Sequence, residues 1–258
     1  MIFFRRTFAN VLLILSIAAA PAKARTLDAI KASGTLRVGL TGDYAPYSLH
    51  GPDGQITGAD VTMAKALASG LGVALEIVPT TWKSMTEDLK ADRFDIAMGG
   101  VSVTPARAAI GDFSMTVMSD GKRPIARCTE KDRYTSIAAI DRPDVRVVFN
   151  PGGTNEAFAK AHLADAKLEE FPDNRSIFEE IAGGHADVMV TDGAEVDYQS
   201  RRHPGVLCPA ATQPFDHFDK AYWMTHDAAL KAAVDAVLKR KLDAGDYQKA
   251  LAAAAGQQ

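Results

Sequence analysis

The chain has 258 residues, with 29 Lys and Arg against 32 Asp and Glu, for a formal charge of −3. This slightly acidic balance, without a basic run, excludes nucleic acid and anionic membrane surfaces as partners. The length exceeds what a single hydrophobic core usually holds and predicts two lobes.

Arg5 and Arg6, the apolar run Val11 to Ala20, and the small residues Ala22 and Ala24 read as a cleavable export signal over 1–24, cut after Ala24. An apolar stretch of about ten residues is too short for a membrane anchor. The expected product is a periplasmic protein with no membrane contact once the signal is gone. Losing Arg5, Arg6 and Lys23 but no acids takes the charge to −6.

Strands and helices then alternate. Thr35 to Leu40 reads as a strand, 59–71 as a helix with Val61, Ala64, Leu67 and Ala68 at helical spacing, and Val73 to Pro79 as the next strand. A helix over 82–91 and a strand over Phe94 to Met98 complete a β-α-β-α-β run, the signature of a doubly wound α/β sheet. A second unit of the same kind follows. Its expected strands are Arg146 to Phe149, Lys167 to Phe171 and Ala186 to Thr191, and its helices 156–163, 175–182 and 194–200. Tyr222 to Met224 reads as a strand returning to the first lobe, ahead of terminal helices over 228–255 that break near Gly245. The expected architecture is two doubly wound α/β lobes joined by hinge strands. Lobe 1 spans 25–124 with 216–258 returning to it, and lobe 2 spans 125–215.

The two cysteines, Cys128 and Cys208, sit in a chain expected to be exported. An oxidising compartment favours a disulfide between them over two buried thiols or half of a metal site.

Ligands of open α/β sheets bind beyond the carboxyl ends of the strands. Four such ends stand out. They are Asp43-Tyr44-Ala45-Pro46-Tyr47, Gly99-Gly100-Val101-Ser102 with Thr104 and Arg107 beyond it, Asn150 to Asn155, and Thr191 to Glu195. Arg107 offers a planar fork for a carboxylate. Ser102 and the amides of the Gly99-Gly100 turn would add donors to that anion. Gly152-Gly153-Thr154-Asn155 opens a helix and would form a second anion site. Tyr44, Tyr47 and Trp82 would wall the cleft against a ring, with Trp82 equally at home as a half-buried residue starting a helix. Asp192 and Glu195 form an acidic pole, or else simply favour the positive end of a helix dipole. These residues alone give a cleft for a small molecule carrying carboxylates and leave catalysis open.

The pattern Asp43…Pro46-Tyr47, Gly58-Ala59-Asp60-Val61, Phe94-Asp95-Ile96, then Ser102 and Arg107, resembles the periplasmic amino-acid-binding proteins of the type II solute-binding superfamily. In that group the arginine holds the ligand's carboxylate and an acid at the place of Asp192 holds its amino group. Over nearly the whole mature length the chain is more similar to the cyclohexadienyl dehydratases. The segments that carry this are Gly42 to Tyr47, Thr80-Thr81-Trp82, Ala97 to Gly100, Gly121-Lys122, Arg127-Cys128, Asn150-Pro-Gly-Gly-Thr-Asn-Glu156, Asp173-Asn174, Thr191-Asp192 and Leu207-Cys208. One departure is Met115-Thr116-Val117, at the exit of the first lobe, where many relatives read Pro-Tyr after the serine.

That resemblance implies an exported carbon–oxygen lyase of phenylalanine biosynthesis, converting prephenate to phenylpyruvate or arogenate to phenylalanine. It implies Glu195 as the general acid, the group that separates such enzymes from non-catalytic binding proteins. It also implies substrate contacts at Asp43, Tyr44, Tyr47, Trp82, Gly100, Ser102, Arg107, Asn150, Thr154, Asn155 and Asp192. No metal or organic cofactor is required. The alternative reading is a receptor that hands a polar amino acid to a membrane permease.

Overall fold

The computed structural model describes residues 24–256. All of the expected export signal except Ala24 lies outside them. No helix among the described residues is long and apolar enough to cross a membrane.

Two five-stranded sheets carry the fold. In the first, Ala74–Pro79, Thr35–Leu40 and Ile96–Ala97 run parallel, and Trp223–Met224 and Asp112–Phe113 follow in that spatial order. Trp223–Met224 is antiparallel to both neighbours. The second repeats this order with Lys167–Glu170, Arg146–Phe149, Val188–Asp192, Lys122–Arg127 and Leu207–Pro209, the first three parallel and Lys122–Arg127 antiparallel to both of its neighbours. The two lobes thus share an architecture without sharing a sequence. Lys122–Arg127 lies wholly in the second sheet, so the expected lobe 2 start at 125 falls inside a strand. The chain crosses between the sheets at Met118–Asp120 and returns at Phe218–Lys220, which pair antiparallel as two hinge strands.

Both faces of each sheet are covered, as helical crossovers require. Side chains alternate across a strand. Val147, Phe149, Val188 and Val190 therefore pack on one face with Phe158, while Val148 and Met189 pack on the other with Phe178 and Ile181. In lobe 1, Leu36, Val38, Leu40 and Met224 meet Val61, Ala64 and Leu67 of the helix Ala59–Leu71 and Leu230, Val234 and Leu238 of the helix Ala228–Asp243. The opposite face buries Met85, Leu89, Phe94 and Trp223. Met115 and Val117, at the departure from the family pattern, pack against the lobe 1 core without disturbing it.

Cys128 and Cys208 form a disulfide, with Cα atoms 4.8 Å apart at a sequence separation of 80. It ties the edge strand of the second sheet to its neighbour. On a chain-entropy basis, closing a loop of this length stabilises the fold by roughly 4 kcal/mol.

Candidate active site

The strand ends converge on a small cavity of about 10 Å³ between the closed lobes, lined by Tyr44, Trp82, Gly100, Ser102, Arg107, Asn150, Gly153, Thr154, Asn155, Asp192 and Lys220. Nine of these eleven were expected as substrate contacts from the sequence and Gly153 as part of the second anion site; Lys220 was not. Lobe 1 supplies an aromatic wall. Trp82 donates from Nε1 to Asp43 (3.1 Å) and meets the Tyr44 ring edge-on, at 5.3 Å between centroids. Tyr44 in turn donates its hydroxyl to Asp192 across the cleft. Asp43 and Tyr47 do not line the cavity. Asp43 positions Trp82, while Tyr47 packs behind Tyr44 at 5.3 Å and donates to the Met118 sulfur.

Arg107 stands on a short helix, Pro105–Ala108, that starts at a Thr104 cap with proline in its first turn. Its Nη1 donates to the Ser102 carbonyl (2.9 Å), and its guanidinium lies 6.0 Å from the centre of the Trp223 ring. Trp223 also holds the Arg107 carbonyl through Nε1 at 3.0 Å. Arg107 makes no ion pair among the described residues. Burial lowers its pKa to about 10, so it remains a cation at neutral pH.

Two expected anion donors are committed elsewhere. The amides of Gly99 and Gly100 donate to the buried carboxylate of Asp60, at 2.9 and 2.8 Å. The Gly152 amide is taken by Glu156 of its own helix at 2.6 Å. In both places an acid completes the turn and occupies those amides.

The acidic pole splits into two unlike groups. Asp192 does not cap its helix, Gly193–Arg202; Asp120 does, accepting from the Gly193 and Ala194 amides at 3.0 and 3.1 Å. Asp192 instead receives Lys122 (2.5 Å), Lys220 and the Tyr44 hydroxyl. Burial alone would raise its carboxyl, but the two ammonium groups hold it well below the ordinary carboxylate range. Glu195 is 0% exposed. Its carboxyl takes the Asn174 amide at 2.8 Å and the Thr191 hydroxyl at 2.6 Å. Burial pushes its pKa well above the ordinary glutamate value despite those bonds, and the charge of Asp192 adds to the rise.

Glu195 does not line the cavity. It lies one hydrogen-bonded side chain beyond it, since Asn155 of the wall donates to Thr191 (3.0 Å) and to Asn150 (2.9 Å). Asn174 joins the same group to lobe 1 by donating to the Asp43 carbonyl at 3.0 Å. Sequence reasoning gave no role to Lys122, Asn174, Thr191 or Lys220. Three of these stand inside segments shared with the dehydratases. Lys220 had its own signal, a lone cation that follows Asp219 and opens onto the apolar run Ala221 to Met224.

The lobes touch at Gly152, which has φ +85° and where an added Cβ would lie 2.4 Å from the Lys83 backbone nitrogen. The Gly152→Ala variant therefore meets lobe 1 backbone only when the cleft is shut. It is expected to fold, with a cost of about 1 kcal/mol for the left-handed backbone, and to lose tenfold or more in the affinity of any ligand bound in the closed cleft. Calorimetry beside thermal unfolding checks this, and unchanged affinity would show that closure does not use this contact.

Residues 36–256 match the profile of the bacterial extracellular solute-binding proteins, family 3. Cyclohexadienyl dehydratase of Pseudomonas aeruginosa is 45% identical over 224 residues, covering 87% of this chain and 84% of that protein. The crystal structure of an ancestral cyclohexadienyl dehydratase is 47% identical, covers 92% of this chain and 98% of its own, and superposes with a TM-score of 0.56. That of an ancestral amino acid-binding protein, a precursor of cyclohexadienyl dehydratase, is 37% identical, covers 86% and 96%, and has a TM-score of 0.80. The chain belongs to the bacterial extracellular solute-binding proteins, family 3, as a relative of cyclohexadienyl dehydratase.

Proposed function

We propose that this protein is a cyclohexadienyl dehydratase, a carbon–oxygen lyase acting on prephenate or arogenate in the periplasm, with residues 1–24 as its export signal. The observation that carries the reading is a fully buried glutamate, Glu195, whose pKa burial raises well above the ordinary value, one side chain from a cavity lined by Arg107 and Lys220. A transport receptor needs no buried acid there.

The chemistry balances on these residues. Glu195 gives its proton to the ring hydroxyl, and the C–O bond breaks with release of water. The bond to the ring carboxylate breaks with release of carbon dioxide, and its electron pair completes the aromatic ring. Glu195 then regains a proton from solvent. A positioned acid contributes typically about 10²–10⁴-fold, and aromatisation supplies the driving force. Arg107 anchors a carboxylate with the charge of Lys220 beside it, while Tyr44 and Trp82 cover the ring. Substrate displaces the Asn155–Thr191 contact, the one layer between the cavity and the acid, and brings its hydroxyl up to Glu195. Closure matters because Asn174 bridges Glu195 to lobe 1, so that opening the cleft hydrates the acid and lowers its pKa.

The pH dependence tests this. An essential acid with a raised pKa keeps the turnover number level through the range where ordinary carboxylates titrate, and the turnover number falls only as pH rises through that raised value. A turnover number that instead rises with pH across the ordinary carboxylate range, as for an essential base, would overturn the assignment.

A further inference from the structure

We propose that Asn174 is a positioning residue that aims the acid's proton, its amide keeping Oε1 of Glu195 an acceptor so that the proton sits on Oε2, the oxygen turned to Thr191 and the cavity. The inference rests on the dehydratase reading above and deepens it by assigning the direction of proton delivery to a residue outside the cavity wall.

Glu195, Asn174 and Thr191 are all fully buried. Nδ2 of Asn174 donates to two acceptors, the Asp43 backbone carbonyl at 3.0 Å and Glu195 Oε1 at 2.8 Å. Its Oδ1 has no hydrogen-bond partner among the described residues. A buried acceptor left unpaired is costly, and one kept in a folded protein calls for a reason. Turning the amide over would pair Oδ1 with a proton on Oε1, but it would also set Oδ1 against the Asp43 carbonyl, which can only accept. A lobe 1 carbonyl therefore fixes the amide of a lobe 2 side chain, and through it the acid.

With an N–H pointed at it, Oε1 acts as an acceptor. Oε2 differs, because its partner is a hydroxyl, Thr191 Oγ1 at 2.6 Å. A hydroxyl hydrogen rotates, so Thr191 accepts from Oε2 while Glu195 is protonated and donates to it once the proton has gone. Both charge states are served from the cavity side, where Asn155 of the wall reaches Thr191 at 3.0 Å. The acid thus gives up its proton on the side where the substrate hydroxyl arrives. Asp192 and Asp43 are the charges that bear on Glu195, and both favour its protonated form. The choice between the two oxygens falls to Asn174 and Thr191.

The test reads kcat, KM and the pH profile with prephenate, together with the infrared carbonyl band of protonated Glu195. That band is taken in each background as the difference from the same protein carrying Glu195→Gln, with phenylpyruvate present to hold the cleft shut. Asn174→Leu, close to asparagine in shape, is expected to lower kcat by about tenfold or more while KM changes by less than about threefold. The band should move to higher wavenumber, because the oxygen without the proton has lost its donor. The alkaline limb of kcat should move to higher pH, because the Asn174 hydrogen bond favours the charged form. A site merely loosened by the change would admit water and move that limb to lower pH. Thr191→Val should leave the band in place. Should Asn174→Leu not fold, Asn174→Ala removes the same amide with less bulk and is read the same way. Retained kcat, a limb moved to lower pH, or a band shifted by Thr191→Val and not by the Asn174 variants would overturn the proposal. Failure of the dehydratase reading is seen in the parent instead, which would leave prephenate unchanged while the band still reports which oxygen carries the proton.

Discussion

Glu195→Gln is expected to abolish dehydration of prephenate, by about 10²-fold or more, and to leave the fold intact. The substitution keeps the shape of the side chain and its two hydrogen-bonding positions toward Asn174 and Thr191, and it removes only the proton that can be donated. The same change has a second readout. The Glu195 carboxyl is raised in the folded protein by burial, so the folded state holds its proton more tightly than the unfolded chain. Its contribution to stability is full below the ordinary glutamate pKa and is lost as pH rises through the raised value. Glu195→Gln removes that dependence, so the variant should gain stability relative to the parent as pH rises. An enzyme that loses turnover while becoming relatively steadier in alkali is the pattern of a buried catalytic acid. Retained turnover, or a parallel loss of stability at all pH values, would argue for a structural role.

Asp192→Asn should unfold far more easily than the parent. The change leaves Lys122 and Lys220, both buried, without their shared counter-charge. Breaking a buried ion pair from one side costs about 3–5 kcal/mol, which in a protein of this size lowers the melting temperature by roughly 6–20 °C. The sign with pH is opposite to that of Glu195. A carboxyl whose pKa is depressed in the fold contributes stability above the ordinary carboxylate range and loses it as pH falls through the depressed value. The gap between parent and variant should therefore narrow in strong acid. A second substitution, Lys220→Met, should recover part of the loss, because the partners are coupled. A melting temperature within the error of the parent's would mean that the lysines are neutralised by something other than Asp192.

Much of this protein was legible in its sequence. The β-α-β-α-β spacing gave two doubly wound lobes because apolar runs bounded by glycine leave few alternatives. Strand ends followed by Gly, Asp or Asn marked the cavity because ligands gather where parallel strands stop. What failed was the assignment of partners inside that cavity. The Gly99-Gly100 amides looked free until Asp60, some forty residues earlier, was found to occupy them. Asp192 looked like an acceptor for a ligand until the hinge strand delivered Lys220 beside it. Such pairings depend on strands far apart in sequence, and no local pattern records them. Glu195 was named through resemblance, not physics. Its burial, which makes it an acid, exists only once Asn174 and Thr191 close around it.

The most direct measurement incubates the purified protein with prephenate at neutral pH and follows phenylpyruvate absorbance together with released carbon dioxide. The account predicts catalytic turnover with one carbon dioxide per phenylpyruvate. Prephenate left unchanged by a protein that binds a free amino acid tightly would contradict it and return the cleft to the role of a transport receptor.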